Sequence, residues 1–348
     1  MASVKMQFET ERIRLMEALR HITEGGIVEG IQHIGSTSVS GLSSSGCVDL
    51  GASVWPFPLE AEPRSKLEAM GYKAVDGFDE KLQFFRHESG RFQLFFAEAG
   101  TEDWFNLVVV RDLLIHSGNV REEVSTKKSS SDFDKSKLFP QLIRDGHQWW
   151  VGHYGFSSLE MVIDELKDAA FQWMVAGGWA LDLFLGRVHR VHHDVDIIVE
   201  RDEQLDMQKY LLERDWKLIT PFEKRFELWP LHMRIELPRH QVHAHRDGGF
   251  IDLLLTEMGD IWKYRREPFV LRSKDRMSMK TESGIPYLSP ELVLLFKSRN
   301  TSGRDRSKDQ SDFENVLLHL DPERRAWLRW ALIATNPEHQ WIKQLSDA

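Results

Sequence analysis

The chain has 348 residues, room for two domains at roughly 150 residues each. Hydrophobic residues make up 41% and charged residues 28%, a balance that excludes disorder. Forty-five basic side chains against 54 acidic ones give a net charge of −9, the wrong sign for a broad nucleic-acid footprint, so nucleic acid is not expected as a partner. No run approaches the roughly 18 apolar residues of a membrane span, and the opening MASVKMQFETER has no apolar leader core. One cysteine, Cys47, leaves no partner for an internal disulfide and no cysteine zinc cluster. A cytoplasmic protein without membrane contact is expected. The twelve tryptophans, spread from Trp55 to Trp341, read chiefly as core filling.

Residues 3–24 predict an amphipathic helix, with Phe8, Leu15, Leu19 and Ile22 at helical spacing and Gly25-Gly26 as its stop. Four short apolar runs predict strands: Ile27–Ile34, Val48–Val54, Leu82–Phe85 and Phe92–Phe96. A helix is expected over 104–124, then a polar loop or linker over Ser125–Lys137, then a helix over Leu138–Trp150. The domain boundary falls near Gly152–Phe156, giving domains 1–155 and 156–348. Ser157 and Glu160 have capping-box spacing, predicting a helix to about Gln172. Next come a strand at Trp173–Ala176, a Gly-Gly turn, a helix Trp179–Leu185 ended by Gly186, and strands Asp194–Glu200 and Phe250–Thr256. Ser289-Pro290 and Asp321-Pro322 each predict a capped start, for helices Pro290–Arg299 and Pro322–Ala334. The expected class is α+β with a helical C-terminal part. Ile34-Gly35-Ser36 before Asp49, and Ala176-Gly177-Gly178 before Asp194 and Asp196, form a weak internal echo.

Residues two apart on a strand share a face, so Asp194 and Asp196 project together while Val195, Ile197 and Val199 pack behind. Two adjacent carboxylates repel unless a cation lies between them, and hard oxygen ligands suit Mg²⁺ with substrate phosphates. The Gly177-Gly178 turn lets backbone N–H groups approach an anion. A third acid, Asp252, sits in the apolar run Phe250–Leu255, where a carboxylate is costly unless paired or metal-bound; Arg246 is the alternative partner. Together these point to a nucleoside-triphosphate site. His243 and His245, two apart, could form a zinc pair, and His189, His192 and His193 precede the acids. No His-Glu-x-x-His occurs, and ordinary hydrogen-bonded histidines are the simpler reading.

GGWALDLFLGRVHRVHHDVDI, residues 177–197, resembles the signature of aminoglycoside and lincosamide nucleotidyltransferases of the DNA polymerase β-like superfamily. The ending GIPYLSPELVLLFKSR, with Lys308-Asp309 and Asp312, resembles them too. The resemblance implies a short mixed sheet flanked by helices, with ATP or another nucleotide, Mg²⁺, and a small-molecule hydroxyl as acceptor. Asp194, Asp196 and Asp252 become catalytic metal ligands. Gly177, Gly178, Arg187, Arg190, His193 and Lys297 become nucleotide contacts. HIGSTSVSGLSSSGCVDL, residues 33–50, and residues 108–128 resemble the GrpB-like family, of the same superfamily. Here Ser40 replaces a proline and Ser45-Gly46 a Lys-Pro, and Gly51 stands two residues beyond Asp49 where a second acid is expected. A single carboxylate cannot build a two-metal clamp, so the first domain reads as degenerate. Transfer to protein or RNA, or nucleotide binding without catalysis, are the competing readings, and self-association is open.

Overall fold

The computed structural model describes residues 3–19, 27–44, 46–77, 80–130, 134–222, 225–246, 249–299 and 307–347. The expected stop at Gly25-Gly26, and Ser45 of the first-half motif, lie outside the described residues. The helix Val4–Leu19 buries Phe8, Leu15 and Leu19, as the apolar spacing requires. Glu11 is buried on the same face because Tyr72 Oη donates to it at 3.1 Å and Arg14 pairs with it at 2.6 Å. Five strands follow in the sheet order Ile27–Ile34, Val48–Trp55, Phe92–Glu98, Leu82–His87, Tyr72–Ala74. Val48–Trp55 runs antiparallel to Ile27–Ile34 and parallel to Phe92–Glu98, so the sheet is mixed. Val48, Leu50, Ala52 and Val54 alternate along one face into a core with Leu67, Phe85, Leu94 and Phe96.

Two local expectations fail here. The helix expected over 104–124 is two helices, Glu102–His116 and Gly118–Lys128, because Ser117 adopts an extended backbone between them. Of the polar stretch Ser125–Lys137, Ser125–Lys128 finish one helix and Lys135 begins the next, Lys135–Tyr154, while residues 131–133 between them lie outside the described residues. Val109, Val110, Leu113, Leu114, Val124 and Leu142 pack these helices together.

The chain divides into two compact units. One comprises Met1–Tyr154, Lys217–Trp229 and His245–Phe250; the other comprises Gly155–Trp216, Pro230–Ala244 and Ile251–Ala348. In the second, strands run in the order Ser278–Lys280, Pro286–Leu288, Trp173–Val175, Val195–Glu200, then residues 251–256 of the strand Gly249–Thr256 and residues 241–244 of the strand Gln241–Arg246. Val195–Glu200 is antiparallel to Trp173–Val175 and parallel to Gly249–Thr256, again a mixed arrangement. Val195, Ile197 and Val199 are buried, as are Ile251, Leu253 and Leu255 on the neighbouring strand. The molecule is α+β, with helices Pro290–Lys297, Ser307–Leu317, Pro322–Thr335 and Trp341–Asp347 closing the chain.

Caps are the weakest expectations. The helix Ser157–Leu166 has Phe156, not Ser157, as its N-cap, no capping side chain, and ends six residues before Gln172. Ser289 precedes Pro290–Lys297 as expected, but its hydroxyl donates to the Arg276 carbonyl at 2.7 Å instead of accepting from its own helix. Asp321 does cap Pro322–Thr335, accepting from Arg324 N at 2.8 Å. Among the described residues, no helix is long and apolar enough to cross a membrane.

Candidate active site

The Gly-Gly turn does more than precede a helix. It begins one, since the helix spans Gly177–Leu185 with Ala176 as N-cap and Gly186, at φ +65°, as its left-handed end. Gly177 has φ +56°, and a Cβ there would collide with Asp196 Oδ2 and lie 2.7 Å from Asp196 Cγ. Only glycine fits both the backbone angle and the contact. Ala176 N donates to the Asp196 carbonyl at 2.8 Å, which fixes the turn against the strand carrying the acid. Trp179 Nε1 donates to the Asp194 carbonyl at 3.0 Å.

Asp196 and Asp252 are register partners on adjacent parallel strands, so their side chains leave one face about 4.8 Å apart at the backbone. Asp194 stands one residue before its strand begins at Val195, half-buried. Burial pushes the Asp194 carboxyl up, against the pull of Arg190 and Lys297. Burial and then the neighbouring Asp194 charge push Asp196 up to about 7. Asp252, raised well above the usual range by burial and by both other acids, is held by Gln241 Nε2 at 2.6 Å, with His243 Nε2 at 3.8 Å. The contemplated partner for Asp252, Arg246, is thus replaced in that role by Gln241. Asp252 Oδ1 accepts no hydrogen bond from any described residue. Three carboxylates that disfavour one another's charge form a set that a divalent cation relieves.

A cavity of about 410 Å³ collects Gly177, Asp196, Asp252 and Lys297, with Trp262 and Phe296 on its wall. Lys297 Nζ reaches Asp309 at 3.0 Å and Asp312 at 2.8 Å. Arg190 grips Asp312 with Nε at 2.8 Å and Nη2 at 2.9 Å, and its Nη2 also lies 2.8 Å from where a Gly178 Cβ would stand. Arg187, expected as a nucleotide contact, is exposed and donates to Asn315 Oδ1 at 3.4 Å. His193 is half-buried between His192 and Asp194 in the chain. His243 is buried beside Asp252, and His245 is buried and packs edge-on to Phe250.

Sequence reasoning missed Asp182, Gln241 and the roles of His189 and His192. Asp182 is fully buried on the Gly177–Leu185 helix and accepts from His189 Nδ1 and, at 2.7 Å, from His192 Nε2. A carboxylate inside the apolar run GGWALDLFL was the signal, the same one that singled out Asp252. Asp182, His189 and His192 have metal-type proximity, but their facing atoms are engaged in these hydrogen bonds.

Residues 158–316 match the family model described as Aminoglycoside-2''-adenylyltransferase, and residues 2–136 match the one described as GrpB protein. The second half is of nucleotidyltransferase type. Both resemblances read from the sequence are therefore found, one in each half. Similar solved structures include the conserved protein GrpB from Enterococcus faecalis, 21% identical, covering 42% of this chain and 93% of that chain at a TM-score of 0.34. ANT(2")-Ia in complex with adenylyl-2"-tobramycin is 15% identical, covering 51% of this chain and 96% of that one at a TM-score of 0.37. Lincomycin-bound LnuA, a lincosamide antibiotic adenylyltransferase, is 18% identical, covering 46% and 94% at a TM-score of 0.33. No curated protein matches the chain.

The nucleotidyltransferase half has a counterpart frame in the first unit, residue for residue. Gly35, at φ +70°, meets Asp49 as Gly177 meets Asp196: a Cβ there would collide with Asp49 Oδ2 and lie 2.9 Å from its Cγ. Asp49 is the second residue of Val48–Trp55, as Asp196 is of Val195–Glu200. Thr37 Oγ1 donates to the Cys47 carbonyl at 3.2 Å, as Trp179 Nε1 donates to that of Asp194. The parallel-strand partner of Asp49 is Gln93, where Asp196 has Asp252. The position equivalent to Asp194 is therefore Cys47, not Gly51, which lies on the far side of Asp49 and faces Ile34 and Trp104.

Proposed function

We propose that the second half transfers a nucleoside monophosphate, AMP from ATP, to a hydroxyl of a small molecule in the cytoplasm, with Mg²⁺ as its metal. The observation that supports this most is the register pairing of Asp196 with Asp252 in one cavity with Gly177 and Lys297. The donor set fits the ion: three oxygen-bearing side chains, mutually repelling, one with an oxygen that accepts no described hydrogen bond. Asp194, Asp196 and Asp252 would hold it, and when bound it neutralises charge on the attacking and leaving oxygens.

The protein's own groups account for the rest. Backbone N–H groups at Gly177 and Gly178 receive phosphate oxygens at the start of a helix, and Lys297 and Arg190 meet their charge. Asp252 orients the acceptor hydroxyl and takes its proton as the oxygen attacks the α-phosphorus. The new P–O bond forms in line as the bond to pyrophosphate breaks. Arg187 receives no role. An aminoglycoside or lincosamide is the acceptor class favoured by the family match of residues 158–316. The first half, with Cys47 and Gln93 in place of two acids, carries no two-metal chemistry in this proposal.

The test is pyrophosphate release from each of the four nucleoside triphosphates with Mg²⁺, across aminoglycosides and lincosamides, with Asp194→Ala alongside and mass spectrometry of the acceptors. Release that depends on one drug, adds a nucleotide mass and disappears in the variant supports the proposal. Nucleotide binding without transfer would redirect it to a macromolecular acceptor, and no nucleotide binding at all would end it.

A further inference from the structure

One buried carboxylate has no part in the chemistry just described. Asp312, on the helix Ser307–Leu317, has no exposed surface and accepts from three different cationic side chains. Arg190 donates twice, at 2.8 and 2.9 Å; Lys297 Nζ approaches to 2.8 Å; His189 Nε2 lies at 2.7 Å. The other nitrogen of His189 is bound to Asp182. With a carboxylate on each ring nitrogen, His189 donates twice and is an imidazolium. Burial opposes that charge, but Asp182 and Asp312 outweigh it and push the imidazole up to about 9.

A buried charge cluster of this size adds little net stability over apolar packing, so its use lies in where it puts the long cations. Both arrive at the glycine turn. Arg190 Nη2 lies 2.8 Å from where a Gly178 Cβ would stand, next to the His192 ring that comes nearer still, and Lys297 lines the cavity with Gly177 and two of the acids. Both cations also act electrostatically on Asp194 and Asp196. Released from Asp312, Arg190 keeps only the Val191 carbonyl and Lys297 only Asp309 as hydrogen-bond partners among the described residues, and either could then turn onto those acids and occupy the place of the metal.

We propose that Asp312 is a positioning residue for the triphosphate: it holds Arg190 and Lys297 at the Gly177-Gly178 turn, where they meet phosphate oxygens instead of pairing with Asp194 and Asp196. This rests on the reading of the cavity as a nucleoside-triphosphate site. His189 completes the device by tying Asp312, on one helix, to Asp182 on the helix that the glycine turn begins.

The test is calorimetric binding, with Mg²⁺, of the non-hydrolysable α,β-methylene analogue of ATP and of AMP to the full chain. Asp312→Asn should weaken the triphosphate analogue about tenfold, the loss expected for misplacing one or two charged hydrogen bonds, and AMP by less than twofold. In an Arg190→Met, Lys297→Met background the same change should cost nothing further. Equal losses for both ligands, an unchanged triphosphate affinity, or a loss that persists in that background would each overturn the proposal. Circular dichroism and melting establish whether Asp312→Asn folds. If it does not, Asp312→Glu keeps the charge, displaces it by one methylene, and should show the same preference for weakening the triphosphate. A wild-type chain that binds no triphosphate overturns this proposal and the proposed function together. A wild type that transfers nucleotide while Asp312→Asn binds it normally overturns the positioning role alone.

Discussion

Gly35 with Asp49 and Gly177 with Asp196 are the same joint built twice, a left-handed glycine pressed against a carboxylate on the next strand. Around the second joint stand Asp194 and Asp252; around the first, the matching places hold Cys47 and Gln93. The glycine survives in both settings because Asp49 and Asp196 leave no room for a Cβ, whatever the site does. Glycine and its facing acid therefore belong to the fold. In the proposed function the two further carboxylates join Asp196 in holding metal, since one acid alone holds no pair of metals.

The largest effect that could break this comparison is on rate. Asp196→Asn should lower nucleotidyl transfer by roughly a thousandfold or more, the scale at which removal of electrostatic stabilisation acts. Asp49→Asn should leave transfer within about twofold of wild type by the same pyrophosphate assay, since Cys47 and Gln93 stand where the second frame has two acids. A comparable loss at both positions would mean that the first frame takes part in catalysis.

Next in size are the glycines. Gly35→Ala and Gly177→Ala combine a left-handed backbone with a collision, and each should cost about 2 kcal/mol or more in thermal or urea unfolding. Gly284, at φ +88° with nothing within 4 Å of a Cβ, is the control: Gly284→Ala meets only the backbone penalty of about 1 kcal/mol. Of the three, only Gly177→Ala should also depress transfer. Equal losses at all three would show that the carboxylate contact contributes nothing beyond the backbone angle.

Most of this frame was legible because it depends on local pattern. Alternating apolar residues located Val48–Trp55 and Val195–Glu200, and a carboxylate in an apolar run located Asp252. What spacing could not supply was equivalence across strands. Counting forward from Asp49 points to Gly51 as the place of a second acid, whereas strand position and register match Asp49 to Asp196 and Cys47 to Asp194. Side-chain partners were equally hidden: Ser289 has the sequence of a cap but spends its hydroxyl on Arg276, 13 residues away. Arg187 and Arg190, three apart on one loop, part company because only Arg190 finds Asp312, 122 residues further on.

The smallest effect is the pH dependence of stability that two histidines, one in each unit, contribute with opposite sign. His33, next to the Gly35 turn, touches Thr37 Oγ1 at 3.0 Å and stacks on Phe8, and burial together with Arg111 holds its pKa below 6.5. The folded state disfavours its proton, so its share of stability is whole above pH 6.5 and is lost as pH falls below that value. His189 is the reverse, pushed up to about 9 despite its burial. Its share is whole below pH 6.5 and is lost as pH rises from there through about 9. Melting followed across that range should therefore show two independent limbs. His189→Gln should reduce the alkaline limb, which Asp196 at about 7 shares, and leave the acid one. His33→Gln should reduce the acid limb, which His192 at about 4 shares, and leave the alkaline one. An alkaline limb that survives in His189→Gln would mean that the imidazolium between Asp182 and Asp312 is not what the folded state stabilises. Those two carboxylates would then rest on their other partners, His192 for Asp182 and Arg190 with Lys297 for Asp312.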